Sequence, residues 1–84
     1  MKFLYFAWVR ERIGLKEEEV EPPPSVTNVG ELVDWLKGRG PGYEYALSEP
    51  LAIRIALDRV HAGSNDTAIS GVKEVALFPP MTGG

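Results

Sequence analysis

Few side chains in this sequence could carry out chemistry by themselves. The chain has no cysteine and one histidine, His61, so it offers no thiolate nucleophile, no disulfide framework and no histidine metal cluster. No serine or threonine has the setting of an activated nucleophile, and an exposed or packed histidine explains His61 better than a general base. Asp58 and Asp66 could form a carboxylate pair, but turn residues that bond their own backbone account for them equally well. A self-contained active site is therefore not expected.

A glycine-rich segment at residues 38–42 is a candidate phosphate loop. Such a loop joins a strand to a helix, so that backbone N–H groups at the helix N-terminus face the phosphate. Here the glycines follow a predicted helix, and the context argues against phosphate binding.

The strongest candidate for chemistry is the tail formed by residues 81–84, which ends in Gly83 and Gly84. Pro79 and Pro80 stop the preceding predicted strand and stiffen the exit of the tail. Because glycine has no side chain, such a tail can thread a narrow channel and leave the Gly84 carboxylate open to attack or activation. The alternative is a frayed end without function. The prolines favour the functional interpretation.

Length and charge narrow the class of protein. Eighty-four residues suffice for one small domain, and a net charge of −3 argues against a nucleic-acid binder held by phosphate contacts. No apolar run approaches the roughly 20 residues that a membrane-spanning helix needs, and no signal-peptide pattern is present. We therefore expect a cytoplasmic protein with no nucleic-acid or membrane partner.

The pattern of apolar residues predicts the elements that position the tail. Residues 3–9 are expected to form a strand with two apolar faces, residues 10–14 a turn or short helical connection, and residues 15–21 a polar edge strand whose glutamates are solvated. Val29, Leu32, Val33 and Leu36 lie at helical spacing, with Asn28 or Thr27 as the N-cap, Glu31 completing a capping box and Gly38 as the stop. Trp35 is expected at the flank of this helix.

Residues 40–50 are expected to be irregular, because Pro41, Gly42 and Pro50 crowd the only candidate for a second helix. Residues 51–57 alternate as a half-buried strand, residues 59–61 extend it or form a short strand, and residues 74–78 form the last strand. One helix against a mixed sheet of four or five strands is an α+β architecture and fits the β-grasp (ubiquitin-like) fold. A ferredoxin-like sandwich would need the second helix. The expected organisation is one domain over residues 1–80 and the tail over residues 81–84.

The segment from Glu74 to Gly84, EVALFPPMTGG, strongly resembles the C-terminal signature of the small subunit of molybdopterin synthase. The opening KFLYFA followed by Arg10 and Glu11, the helix start VGEL and the strand IRIA are also similar, so the resemblance covers essentially the whole chain. Two positions depart from the family pattern. Asp58 stands where the family commonly has asparagine, and residues 71–74 are one residue longer and lack an aspartate.

This resemblance implies a ubiquitin-like sulfur carrier that is not an enzyme by itself. A separate adenylating enzyme, related to ubiquitin-activating enzymes, would use ATP to convert the Gly84 carboxylate to an acyl-adenylate. Sulfur, usually from a persulfide, would then replace AMP to leave a thiocarboxylate. The tail would enter the large synthase subunit, where its sulfur attacks cyclic pyranopterin monophosphate to build the molybdopterin dithiolene. The chain itself would bind no cofactor or metal, and the family implies a heterotetramer of small and large subunits.

Several site residues follow from this interpretation. Met81, Thr82 and Gly83 would thread the partner's active site behind Gly84, and Phe78, Pro79, Pro80 and Trp8 would dock the partners. Core packing is the alternative for Phe78 and Trp8. Three other functions stay open: a carrier for thiamine or tRNA thiolation, a protein modifier joined through Gly84 to lysine, and an interaction module with an inert tail.

Overall fold

A five-stranded mixed sheet carries three helices in the computed structural model, which describes residues 1–49 and 52–80. The elements run in the order β1 (Lys2–Tyr5), α1 (Ala7–Ile13), β2 (Glu17–Glu19), α2 (Val29–Lys37), α3 (Pro41–Ala46), β3 (Arg54–Leu57), β4 (Val60–His61) and β5 (Glu74–Phe78). The strand order is β2-β1-β5-β3-β4. The predicted α+β class and β-grasp fold are confirmed.

The central pair of strands, β1 and β5, is parallel, and every other pair in the sheet is antiparallel. Tyr5 pairs with Leu77, and the Phe6 N–H continues the ladder by donating to the Leu77 carbonyl at 3.1 Å. The end of β1 and the end of β5 therefore lie side by side. This register places the start of α1 next to the point where the chain leaves the sheet.

The core lies between the sheet and the helices. Strand alternation turns Phe3, Tyr5, Val75 and Leu77 to this side, where each is at most 1% exposed. Helix α2 contributes its predicted apolar stripe, with Leu32 fully buried. Burial of each such side chain stabilises the fold by about 1.5–3 kcal/mol. The other buried members of the core cluster are Val9, Val29, Leu36, Ala46, Leu47, Ile53, Leu57 and Ile69.

The α2 N-terminus matches the predicted cap in detail. The Asn28 Oδ1 accepts a 2.9 Å hydrogen bond from the Glu31 N–H, and the Glu31 carboxylate returns to the Thr27 N–H at 2.7 Å. Both candidate cap residues therefore take part. Trp35 lies on the helix flank as expected, half-buried, with its ring centroid 6.2 Å from that of Phe3.

The first strand is shorter than predicted. The expected strand over residues 3–9 is wrong beyond Tyr5, because Ala7–Val9 belong to α1. A short apolar run is compatible with either period, and here Val9 is buried by α1 packing against α3. The backbone turns at Ala7, whose φ is 52°, and α1 ends at Gly14, whose φ is 90°. The predicted helical connection over residues 10–14 is the second half of this helix.

The expected irregular segment over residues 40–50 is also wrong, because Pro41–Ala46 form α3. Proline suits the first turn of a helix, where its missing N–H leaves no bond unmade. Gly42 is required by packing rather than by a turn, since a Cβ there would lie 2.7 Å from the Arg12 carbonyl oxygen of α1. The strand order β2-β1-β5-β3-β4 is that of the β-grasp fold, and the two additional helices do not change it.

The remaining strands agree with the predictions, with small shifts at their ends. Strand β3 begins at Arg54, and Pro50 and Leu51 lie outside the described residues. Ala56, on the predicted outer face of β3, is nevertheless only 7% exposed, because it lies between Ala76 of β5 and His61 of β4. The residue stretches 1–49 and 52–80 contain no helix long and apolar enough to cross a membrane.

Candidate functional site: the exit of the C-terminal tail

The exit of the tail is held at the middle of the sheet. Phe78, the last residue of β5, pairs with Arg54 of β3, while Leu77 pairs with Tyr5 of β1. Pro79 then ends the ladder because it has no N–H to donate. A tail that begins on a strand hydrogen-bonded on both sides starts from a fixed position and direction.

Phe78 forms an aromatic contact beside this exit. Its ring meets the His61 ring edge-on, with centroids 5.5 Å apart and planes at 89°. His61 is exposed on the short edge strand β4, and no carboxylate or hydroxyl bonds it in the part of the chain that is described. The ring contact with Phe78 gives His61 a packing role on this face.

The outer face of the sheet, which no described helix covers, continues this apolar surface. Because Phe3, Tyr5, Val75 and Leu77 point into the core, the alternate residues of β1 and β5 point outward. We call this surface the outer sheet patch; its members, related by the strand register, are Leu4, Ala56, His61, Ala76 and Phe78.

The predicted docking residues do not form one cluster. Phe78 contacts His61 on the outer sheet patch, and Pro79 and Pro80 are half-buried beyond it. Trp8 lies on α1, half-buried, with the Arg12 guanidinium 4.4 Å from its ring centroid. Met81, Thr82, Gly83 and Gly84, predicted to thread the partner and carry the chemistry, lie outside the described residues.

The candidate acids and glycines have structural roles. The Asp58 Oδ1 accepts backbone hydrogen bonds from Lys73 at 3.1 Å and Glu74 at 2.9 Å, so this carboxylate ties the β3–β4 turn to the start of β5. Asp66 lies in a turn, where its N–H donates to the Ser64 hydroxyl. Residues 38–40 join α2 to α3, and Pro41 and Gly42 belong to the first turn of α3, so the glycine-rich segment does not connect a strand to a helix. Residues 1–49 and 52–80 contain no group of His, Asp or Glu side chains arranged to hold a metal ion.

A polar cluster around Glu18 was missed by the sequence analysis. Glu18 was interpreted as one of several solvated charges on an edge strand, but its Oε2 accepts hydrogen bonds from Tyr5 and Tyr43, each at 2.7 Å, and from Arg39 at 2.9 Å. Its side chain is only 13% exposed. The cluster depends on α3, which supplies Tyr43. Because the sequence predicts an irregular segment in place of α3, it does not predict the cluster.

Titration behaviour follows from this geometry. Burial by itself raises the pKa of Glu18, but the hydrogen bonds from Tyr43, Tyr5 and Arg39 outweigh burial and hold that pKa below its usual value. Burial and the hydrogen bond to Glu18 raise the pKa of Tyr43 to about 12 and also raise the pKa of Tyr5. At neutral pH the cluster therefore holds one carboxylate, one guanidinium and two protonated phenols.

Two arginines each lie against two aromatic rings. The Arg12 stack consists of Trp8, Arg12 and Tyr45, with the guanidinium 4.4 Å and 4.2 Å from the two ring centroids. The Arg39 stack consists of Trp35, Arg39 and Tyr43, with the guanidinium 5.3 Å and 4.9 Å from the two ring centroids. Tyr43 and Tyr45 lie two residues apart on α3, so this helix supplies one ring to each stack.

Comparison with known proteins agrees with the fold and the tail. The sequence matches the model of the ThiS family over residues 3–84. No functionally curated protein matched the sequence.

Three solved structures share the fold over nearly their whole length. A protein of Pyrococcus furiosus assigned as molybdopterin converting factor, subunit 1, is 28% identical with a TM-score of 0.75, over 94% of each chain. SAMP1 from Haloferax volcanii is 26% identical with a TM-score of 0.72, over 100% of this chain and 98% of its own. A second structure from that organism, small archaeal modifier protein 1, is 25% identical with a TM-score of 0.71, over 95% of each chain.

The family match includes the two terminal glycines and all but the first two residues, and the β-grasp sheet delivers those glycines from its central strand. The chain belongs to the ThiS family of ubiquitin-like sulfur carriers.

Proposed function

We propose that the chain is the sulfur-carrying small subunit of molybdopterin synthase and that Gly84 is the site of chemistry. A carboxylate is a poor electrophile, so it must first be activated. The Gly84 carboxylate attacks the α-phosphorus of ATP in the adenylating enzyme, pyrophosphate leaves and an acyl-adenylate forms. A persulfide sulfur then displaces AMP, and a thiol cleaves the resulting S–S bond to leave the thiocarboxylate.

The observation that carries this proposal is the position of the exit of the tail, at the end of β5. Residues 79–84 continue from Phe78, at the end of a strand hydrogen-bonded to β1 and β3, so a rigid sheet presents a slender glycine terminus. The described residues contain no cluster of acids, bases or metal ligands at this exit. Such a chain is suited to carry a reactive group into another protein's active site.

The proposed partners are the adenylating enzyme, which supplies ATP chemistry, and the large synthase subunit, which holds cyclic pyranopterin monophosphate. Phe78, Pro79 and Pro80 would dock both, because any protein that receives the tail must cover its exit. Aromatic side chains at the centre of an interface commonly carry much of its binding energy. The thiocarboxylate sulfur then attacks the pterin, and two such transfers complete the dithiolene.

A second candidate function is protein modification. It is supported by the likeness to SAMP1 and to small archaeal modifier protein 1, which share about a quarter of their residues with this chain. Both functions require the Gly84 acyl-adenylate. They differ in the acceptor of the acyl group, which is a lysine amine in protein modification and a sulfur nucleophile in sulfur carriage.

Intact mass measurement tests the proposal. The untagged protein is incubated with its adenylating enzyme, ATP and a persulfide donor, and we expect a gain equal to replacing one oxygen by sulfur, located at Gly84. The thiocarboxylated protein is then mixed with the large subunit and cyclic pyranopterin monophosphate, and formation of the dithiolene product is assayed.

Four outcomes are possible, and each points to a different conclusion. Sulfur on Gly84 with dithiolene formation supports the synthase. Sulfur on Gly84 without it, together with thiamine or tRNA thiolation, identifies a different carrier. Isopeptide-linked conjugates in cells indicate a modifier, and an unchanged mass with an active adenylating enzyme overturns the proposal.

A further inference from the structure

The two arginine stacks differ in the polar partners of the guanidinium, since Arg39 donates a 3.3 Å hydrogen bond to the Tyr43 hydroxyl of its own stack. In the Arg39 stack the guanidinium also donates a 2.9 Å hydrogen bond to the Glu18 carboxylate, which neutralises its charge. The Arg12 guanidinium has no ion pair or hydrogen bond to any carboxylate in residues 1–49 and 52–80. An arginine beside two aromatic rings thus occurs twice in the part of the chain that is described. Arg39 has a carboxylate partner there, and Arg12 has none.

The Arg12 stack is prepared for an anion. Two ring centroids lie 4.4 Å and 4.2 Å from the guanidinium carbon and restrict its motion, and the fork of N–H donors of an arginine matches a carboxylate in a bidentate geometry. Holding the side chain in advance reduces the entropy that binding would otherwise cost. Arg12 itself is half-buried, while Tyr45 is 59% exposed, so the stack can be reached from outside.

The helix that carries Trp8 and Arg12 begins beside the exit of the tail. Helix α1, which carries Trp8 and Arg12, begins directly after Phe6, whose N–H bonds the Leu77 carbonyl. Phe6 is 47% exposed at this junction. A protein that receives the tail therefore passes beside α1.

From these observations we propose that the Arg12 stack is a second docking site, which binds an aspartate or glutamate side chain of the enzyme that adenylates Gly84. The site is separate from the outer sheet patch, and it combines the three residue types, Trp, Tyr and Arg, that most often dominate binding energy at protein interfaces. The inference rests on the proposed function only for the identity of the partner.

Steady-state kinetics of the adenylating enzyme, with the carrier as the varied substrate, test this site. We expect Arg12→Glu to raise KM for the carrier about tenfold or more with kcat nearly unchanged, because the variant loses ground-state binding. Arg12→Lys keeps the charge but not the planar fork, so its KM should lie between the KM of the wild type and that of Arg12→Glu. Lys73→Glu is the control, since it makes the same charge change at the other end of β5. Urea denaturation verifies that each variant is folded.

Removal of the rings gives an independent test. Trp8→Leu combined with Tyr45→Leu keeps Arg12 and its charge, and should raise KM severalfold because the guanidinium is no longer held. An equal KM for wild type, Arg12→Glu and Lys73→Glu would overturn the docking site while Gly84 is still adenylated. Failure of the wild type to be adenylated would instead overturn the proposed function.

A second copy of this chain is the competing occupant, because β2 carries two exposed glutamates, Glu17 and Glu19. Sedimentation of the isolated protein decides between them. A monomer at the concentrations of the kinetic assay supports the enzyme as partner, whereas a dimer that Arg12→Glu dissociates would overturn the proposal.

Discussion

The Glu18 carboxylate accepts a 2.7 Å hydrogen bond from the Tyr43 hydroxyl, 25 residues later in the chain. This contact joins the edge strand β2 to α3, and the same oxygen also binds Tyr5 and Arg39. A single carboxylate oxygen therefore connects β1 and β2 to α3 and to the segment between α2 and α3.

Substitution of Glu18 by glutamine should destabilise the protein. We expect a loss of about 1.5–3 kcal/mol in the free energy of unfolding at pH 7, because hydrogen bonds to a charged group are lost in a half-buried site. Chemical denaturation in urea measures this change in the free energy of unfolding. Glu19→Gln is the control, since Glu19 lies next on β2 and is exposed.

The effect should also depend on pH. The folded-state pKa of Glu18 lies below its unfolded value, so its stabilisation is fully present above the unfolded pKa of about 4.3 and is lost as pH falls through the folded pKa. The difference in the free energy of unfolding between wild type and Glu18→Gln should therefore shrink as the pH falls below about 5. A difference that grows on acidification would contradict this assignment.

Substitution of Gly42 by alanine should destabilise α3 although alanine is the better helix former. The added Cβ would lie 2.7 Å from the Arg12 carbonyl oxygen, so α1 and α3 must separate. We expect a loss of about 1–3 kcal/mol, typical of overpacking. Gly38→Ala is the matched control, because its Cβ would meet its nearest neighbour, the Trp35 carbonyl oxygen, at an ordinary 3.5 Å. Equal melting temperatures for the two variants would rule out the close approach.

Gly42 also shows where sequence reasoning succeeds and where it stops. The strong periodicity and cap of α2 predicted that helix and its N-terminus, and the order of elements predicted the β-grasp fold. Gly42 predicts an irregular segment because glycine has a low intrinsic helix propensity. The reason for glycine at this position is its packing against α1, a tertiary contact that the local sequence does not reveal. The Glu18 cluster and both arginine stacks include tyrosines from α3, so they could not be predicted without it.

Asp58 should stabilise the fold through its acceptor oxygen rather than its charge. Asp58→Ala removes both hydrogen bonds to the backbone of Lys73 and Glu74 and places alanine at a φ of 49°, so we expect a loss of about 1–3 kcal/mol. Asp58→Asn keeps an acceptor oxygen and tolerates this conformation, and should cost much less. Amide hydrogen exchange at residues 73 and 74 reports the loss locally. Equal destabilisation by both variants would show that the charge matters.

Phe78 should contribute to binding of the partners that receive the tail. We expect Phe78→Ala to raise KM for the carrier in the adenylation reaction about thirtyfold, since loss of a central aromatic side chain commonly costs about 2 kcal/mol. Phe78→Leu, which keeps an apolar side chain, should recover most of this effect. Leu15→Ala is the control, because Leu15 is an exposed apolar residue, at 41%, outside the outer sheet patch. A similar KM for Phe78→Ala and wild type would assign Phe78 to packing against His61 alone.

Extension of the chain by one alanine after Gly84 should abolish sulfur transfer without affecting the fold. The added residue moves the carboxylate beyond the position where it is activated and places a methyl group where the proposed channel admits glycine. Intact mass after reaction with the adenylating enzyme, ATP and a persulfide donor measures the loss, and urea denaturation should give the wild-type midpoint. The control is the same protein with the alanine placed before Met1, which should accept sulfur normally. An extended chain that still gains sulfur at its terminus would refute the requirement for a terminal Gly84.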